Sequence, residues 1–151
     1  MKIIIVSNGP GLAEIVQEYG HSSSWIPSLV NDEDITFEVK KAYDNEKLSI
    51  SDGDAWIITG SKFSVYDDLL WIKYLKDFIR DGIENNKHML GICFGHQIIA
   101  ESYGGKVEKN LMGWELGSYP ITLTKDGLKS DLFKNFNSND IAYESHQDSV
   151  V

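Results

Sequence analysis

Cys93 is the only cysteine in the 151-residue chain, and it lies at the centre of Gly91-Ile92-Cys93-Phe94-Gly95. A thiol is chemically useful as a thiolate nucleophile, and the symmetric glycines suit that use. An apolar run, "HMLGI", precedes the cysteine and a helical pattern, "GHQIIAESYGG", follows it. A nucleophile on a tight strand-to-helix turn sits at the tip in a strained backbone conformation. Glycines on either side remove the β-carbons that would collide as strand and helix approach. The thiol then lies at a helix N-terminus, whose partial positive charge favours the thiolate. The N–H of Phe94 points into the same space and can stabilise an oxyanion. Free cysteines are commonly inert core residues, but this placement points to a nucleophile. Cys93 with His96 shows no further ligand spacing, so no metal site is read.

The surrounding pattern must position this turn. "KIIIVS" (Lys2 to Ser7) is a β-branched run that reads as a strand buried on both faces. "NGPG" closes it and lacks both Gly-x-Gly-x-x-Gly and the P-loop lysine, so it reads as a plain turn into a helix over Leu12 to Gly20. Asp34 to Val39 and Asp54 to Gly60 are further strands. The segment "DDLLWIKYLKDFIRDGIENN" places Trp71, Leu75, Phe78, Ile79 and Ile83 at helical spacing, with Asp67 or Asp68 as its cap. Ser118 to Thr124 and Asp140 to Ser145 are later strands, with a short helix in "GLKSDLFKNF" between them. Strands alternating with helices predict a single α/β domain with a mostly parallel sheet.

Composition sets limits. Hydrophobic residues make up 42% and charged residues 25%, a globular balance. A net charge of −9 repels nucleic acid phosphates and anionic lipid, so neither is an expected partner. A lone cysteine forms no internal disulfide, no signal peptide is read, and no apolar run reaches the roughly 18 residues of a membrane span. A cytoplasmic protein is expected. The chain closes on "SHQDSVV", whose valines look like the opening of a strand. The expectation is therefore a domain incomplete at its C-terminus, with exposed apolar surface through which it self-associates.

"LGICFGHQ" resembles the cysteine motif of class I glutamine amidotransferases, the triad glutaminases. "DAWIITGSKFSVYDD" resembles that family's oxyanion loop in the form of GMP-synthase-like free-standing members. "GGKVEKNLMGWELG" and "YESHQDSV" resemble the segment after the nucleophile helix and the loop over the substrate glutamine. The resemblance implies a flavodoxin-like fold and a glutaminase that needs no cofactor. It implies that Cys93 attacks the glutamine side-chain amide to give a γ-glutamyl thioester, with the N–H groups of Ser61 and Phe94 as the oxyanion hole. Gly60, Gln97, Ser145, His146 and Gln147 would hold the substrate. The implied partners are glutamine or a γ-glutamyl compound, and a synthase that accepts the ammonia.

The family's general base and orienting carboxylate come as His-x-Glu, which these 151 residues do not contain. Weak or absent activity is the expectation. Of the four histidines, His88 lies at the far end of the elbow strand, and His96 reads as a helix residue beside the pocket. His21 sits in a loop with no visible partner. His146, two residues before Asp148, mimics a His-x-Asp pair but belongs by resemblance to the substrate loop. The alternatives are a γ-glutamyl peptide hydrolase and a non-catalytic glutamine-binding module.

Overall fold

A computed structural model describes every residue of the chain except Ser138. Its strands are β1 (Lys2–Ser7), β2 (Thr36–Lys41), β3 (Ala55–Ile58), β4 (His88–Gly91), β5 (Val107–Lys109), β6 (Glu115–Pro120), β7 (Ile141–His146) and β8 (Asp148–Val150). Its α-helices are α1 (Ala13–Tyr19), α2 (Ser22–Ser28), α3 (Leu70–Glu84) and α4 (Phe94–Ser102). The chain divides into two compact units, residues 1–108 with 150–151, and residues 109–149. No helix among the described residues is long and apolar enough to cross a membrane.

The first unit is built on a parallel sheet of order β2-β1-β3-β4. The run "KIIIVS" becomes a central strand because its residues can be buried on both faces, and Ile4, Ile5 and Val6 are fully buried. Ile4 and Val6 share a core with Trp56 and Ile58 of β3, with Trp71, Ile72, Leu75, Phe78 and Ile79 of α3, and with Phe94 and Ile98 of α4. The α3 positions repeat at helical spacing, so one stripe of the helix covers the sheet. Each fully buried large side chain there contributes about 1.5–3 kcal/mol. The strand order reverses direction between β1 and β3, the type of crevice where open α/β sheets bind ligands.

Several boundaries differ from the sequence reading. Neither Asp67 nor Asp68 caps α3. Leu69 is the N-cap residue, without a side-chain cap bond. Asp67 Oδ2 instead accepts from Ser64 N–H at 3.0 Å, closing the turn before the helix, and Asp68 pairs with Lys73. The "HSSSW" segment is not a loop but the start of α2. His21 is its N-cap, Nδ1 accepting from Ser23 N–H at 3.2 Å and Nε2 lying 2.8 Å from the Gly9 carbonyl.

In the second unit, β6 and β7 pair antiparallel from Glu115↔His146 to Pro120↔Ile141. The strand expected at Ser118 to Thr124 therefore begins earlier and ends at Pro120, with one last bond from Ile121 N–H to the Asp140 carbonyl at 2.9 Å. The expected helix in "GLKSDLFKNF" is two 3-10 turns, Gly127–Lys129 and Asp131–Phe133. Ser130 separates them, its Oγ accepting from Leu132 N–H at 3.2 Å, a local bond that competes with helix propagation. Of the closing valines, Val150 ends the short strand β8, which pairs with β5, and Val151 N–H donates to the Lys106 carbonyl at 2.9 Å.

Candidate active site

Three segments leave the carboxyl ends of neighbouring parallel strands: Asn8 after β1, Thr59 to Ser61 after β3, and Ile92–Cys93 after β4. The Ile92 N–H still reaches the Ile58 carbonyl at 2.9 Å, so the chain stays pinned to β3 up to the residue before the thiol. Helix α4 starts at the residue after it. Gly95 N–H donates to the Ile92 carbonyl at 2.9 Å, and Gln97 N–H to the Cys93 carbonyl at 3.0 Å. The sharp reversal puts Cys93 at φ 53, ψ −113. A non-glycine residue held in such a sparsely populated region costs about 1–3 kcal/mol, and residues of this kind cluster at active sites and ligand clamps.

Both glycines of the elbow are sterically required. A β-carbon on Gly91 would lie 2.4 Å from the Gly95 carbonyl carbon, and one on Gly95 would lie 1.9 Å from the Ile58 carbonyl oxygen. These are backbone atoms that cannot swing aside. The thiol itself is exposed and is not in a disulfide.

The turn after β3 borders the thiol. A β-carbon on Gly60 would sit 3.6 Å from Cys93 Cβ. Ser61 follows with a negative φ, so serine fills that position without the strain that only glycine relieves. Its Oγ donates to the Asn8 carbonyl at 2.7 Å and accepts from Phe63 N–H at 3.2 Å. Phe94 is the first residue of α4, where a backbone N–H has no intrahelical partner. Its ring is fully buried 5.8 Å from that of Trp71, and Trp71 also meets Phe63 at 5.7 Å. One indole thus packs against both the elbow and the loop after β3.

The structure therefore brings Gly60, Ser61, Cys93 and Phe94 together, with Gln97 buried one turn along α4. His96 is exposed on the first turn of α4, and His88 is exposed at the opposite end of β4 from the thiol. Ser145, His146 and Gln147 belong to the second unit. Ser145 is exposed in β7 opposite Leu116, and the Gln147 carbonyl accepts from Asn110 N–H at 2.8 Å. The His146 ring lies between two carboxylates, Nε2 2.8 Å from Glu115 and Nδ1 3.1 Å from Glu144.

Two residues escaped the sequence reading. Asn8 belongs to a turn taken as plain, and Thr59 to a strand end taken as structural. Both are buried, and both bond to the loop after β3. The available signal was a polar residue in each case directly following an apolar strand.

The sequence model of the class-I glutamine amidotransferase family matches residues 15–151. The chain belongs to that family. It is 34% identical over 164 aligned residues to a glutamine amidotransferase-like protein of Schizosaccharomyces pombe, covering 99% of this chain and 64% of the relative. Gamma-glutamyl peptidase 4 of Arabidopsis thaliana is 32% identical, with 88% of this chain and 55% of the relative covered. The glutamine-hydrolysing GMP synthase of Clostridium kluyveri is 31% identical, with 92% and 26% covered. The chain thus spans between about half and two thirds of the first two relatives, and a quarter of the third. Among solved structures, a glutamine amidotransferase of Thermotoga maritima superposes with a TM-score of 0.81 at 17% identity, over 99% of this chain and 62% of that one. The parallel sheet flanked by helices is the class-I amidotransferase fold.

Proposed function

We propose that this chain is a cysteine-dependent glutaminase unit acting on the side-chain amide of glutamine. The observation that carries the reading is the Cys93 turn, held at φ 53 between two obligatory glycines with the Gly60 turn against it. The thiolate of Cys93 adds to the amide carbonyl of glutamine, forming a C–S bond and moving the carbonyl π electrons onto oxygen. The N–H groups of Ser61 and Phe94 receive that oxyanion. Collapse breaks the C–N bond, ammonia leaves with an added proton, and a γ-glutamyl thioester remains for water to hydrolyse. Gln97 and Gly60 line the substrate side of this centre, and the assignment of Ser145, His146 and Gln147 to the amino acid end is supported by the resemblance of their segment alone. An exposed thiol nucleophile suits a reducing, cytoplasmic setting.

These 151 residues offer no His-x-Glu pair to take and return protons, so slow turnover is expected and alkylation is the better readout. A glutamine-like chloroketone should add one mass increment at Cys93, glutamine should block it, and Cys93→Ser should abolish it. A folded chain that takes no label would overturn the enzyme reading and leave a binding module.

A second substrate reading draws support from the likeness to gamma-glutamyl peptidase 4. The same thioester forms whether the leaving group is ammonia or the amine of a γ-glutamyl peptide. Protection by a γ-glutamyl dipeptide stronger than by free glutamine would favour it. Stronger protection by glutamine would favour ammonia supply to a synthase partner, in keeping with the likeness to GMP synthase.

A further inference from the structure

We propose that the Thr59 hydroxyl, held by Asn8, is a positioning group that aims the Ser61 N–H at the oxyanion site; the role rests on the glutaminase reading above. Thr59 is buried and lies one residue beyond β3. Its backbone N–H continues the ladder to the Val6 carbonyl at 3.0 Å, so its main chain is fixed by the sheet. Asn8, fully buried at the end of β1, grips it twice. The Asn8 N–H donates to Thr59 Oγ1 at 3.2 Å, and Asn8 Nδ2 donates to the Thr59 carbonyl at 2.7 Å.

The direction of these bonds is informative. A hydroxyl has one proton and two lone pairs. With Asn8 N–H donating to Thr59 Oγ1, the hydroxyl proton is left to donate, and it meets the Gly60 carbonyl at 3.2 Å. The Gly60 carbonyl and the Ser61 N–H belong to one planar trans peptide and point in opposite directions. A hydroxyl that fixes the carbonyl therefore fixes the N–H. From the other side, Ser61 Oγ donates to the Asn8 carbonyl at 2.7 Å. The peptide that carries the donor is thus held at both ends, by Thr59 ahead of it and by the Ser61 side chain behind it, and both ties run to Asn8.

The amide at this place carries a cost as well as a bond. Among the described residues Asn8 Oδ1 is buried with no hydrogen-bond partner, a penalty that an apolar side chain would avoid. What the amide supplies is its Nδ2 bond to the Thr59 carbonyl, on the strand end that feeds the turn. Placement matters here because an oxyanion donor has to lie about 2.7–3.1 Å from the position the developing charge takes. A displacement near 1 Å lowers rate by about a hundredfold.

The test compares two alkylations of Cys93. In labelling by a glutamine-like chloroketone, the thiolate displaces chloride, and the ketone oxygen occupies the oxyanion site. Iodoacetamide reads the thiol without that site. Thr59→Val keeps the shape and removes the hydroxyl. We expect its chloroketone rate to fall about tenfold or more, its iodoacetamide rate to stay within about twofold, and Thr59→Ser to recover most of the loss. Amide exchange at Ser61 and Lys62 should quicken in Thr59→Val while α3 keeps its protection. If α3 protection is lost, Ser61→Ala removes the tie at the other end, keeps the N–H, and should slow chloroketone labelling several-fold. Normal chloroketone labelling of folded Thr59→Val or of Ser61→Ala overturns the positioning role and leaves the glutaminase reading standing. A wild-type chain that iodoacetamide alkylates but the chloroketone does not overturns both.

Discussion

The two compact units of this chain are held by different forces. Every buried apolar side chain lies in the first, from Ile4 to Val107. Among the described residues 109–149 none reaches that degree of burial, and Leu111 and Met112 are 100% and 93% exposed. The first unit is specified by close packing, and at the elbow by contacts that admit no extra atom. The second is specified by a six-pair ladder between β6 and β7, by local side-chain turns, and by His146 between Glu115 and Glu144. The difference teaches that a reactive residue is placed accurately where sterics leave the backbone one path, whereas a polar hairpin leaves more freedom.

That contrast can be broken by adding one methyl group to each unit. Gly95→Ala drives a β-carbon into the Ile58 carbonyl and should destabilise the first unit by about 3 kcal/mol or more, abolishing soluble folded protein or lowering the melting temperature sharply. Gly113→Ala, at φ +97 with nothing within 4 Å of the new atom, meets only backbone strain, worth about 1 kcal/mol. Similar melting curves for the two variants would refute the contrast.

Removing side chains should give the next largest effect. Trp56→Ala deletes a core ring that packs edge-on against Phe78, with an expected loss of about 3–5 kcal/mol in urea unfolding. Met112→Ala should stay within about 0.5 kcal/mol of the parent.

Acid sharpens the comparison further. The hydrogen bond from Lys40 holds the Asp52 carboxyl below its ordinary value, and burial opposes this only in part. A depressed folded pKa contributes stability that is complete above the unfolded value, near pH 4, and lost as pH falls through the lower folded value. Asp52→Asn should therefore weaken the chain at neutral pH and reduce the loss of stability below about pH 4. An unchanged acid limb would refute the assignment.

A small effect is expected at the ion pairs of the second unit. His146→Ala removes a partly exposed pair that contributes about 0.5 kcal/mol, and should raise amide exchange in β6 and β7 while β1 keeps its protection.

The legible parts of the sequence were those where one force dominates. "KIIIVS" could only be a buried strand, and β1 has the expected bounds. The elbow was readable because glycine at Gly91 and Gly95 answers a steric demand visible in the spacing alone. The stripe of α3 was readable for its periodicity, though its start was not, because Asp67 serves the turn before the helix. Helix α2 was missed because seven residues containing four serines and Pro27 carry no apolar period, and because an imidazole does the capping. In the second unit the bounds of β6 moved by three to four residues because its exposed run lacks the alternation that fixes a register, whereas β7, which alternates, shifted by one. The Asn8–Thr59–Ser61 bonds join residues some fifty positions apart, and no local pattern announces such a pairing.

The order of the sheet has one more consequence. Its two outer strands differ in character. Strand β2 carries Glu38, Lys40 and Lys41, with Glu38 paired to Lys2, and charges of this kind discourage another strand from adding. Strand β4 reads Met89, Leu90, Gly91 and onward to Ile92 with no charge, and Leu90 and Ile92 are 39% and 44% exposed. Among the described residues the sheet is therefore gated on one flank and unpaired on the other, and the unpaired flank is the strand that leads to Cys93. Whatever extends the sheet there, from this chain or another molecule, becomes the neighbour of the nucleophile.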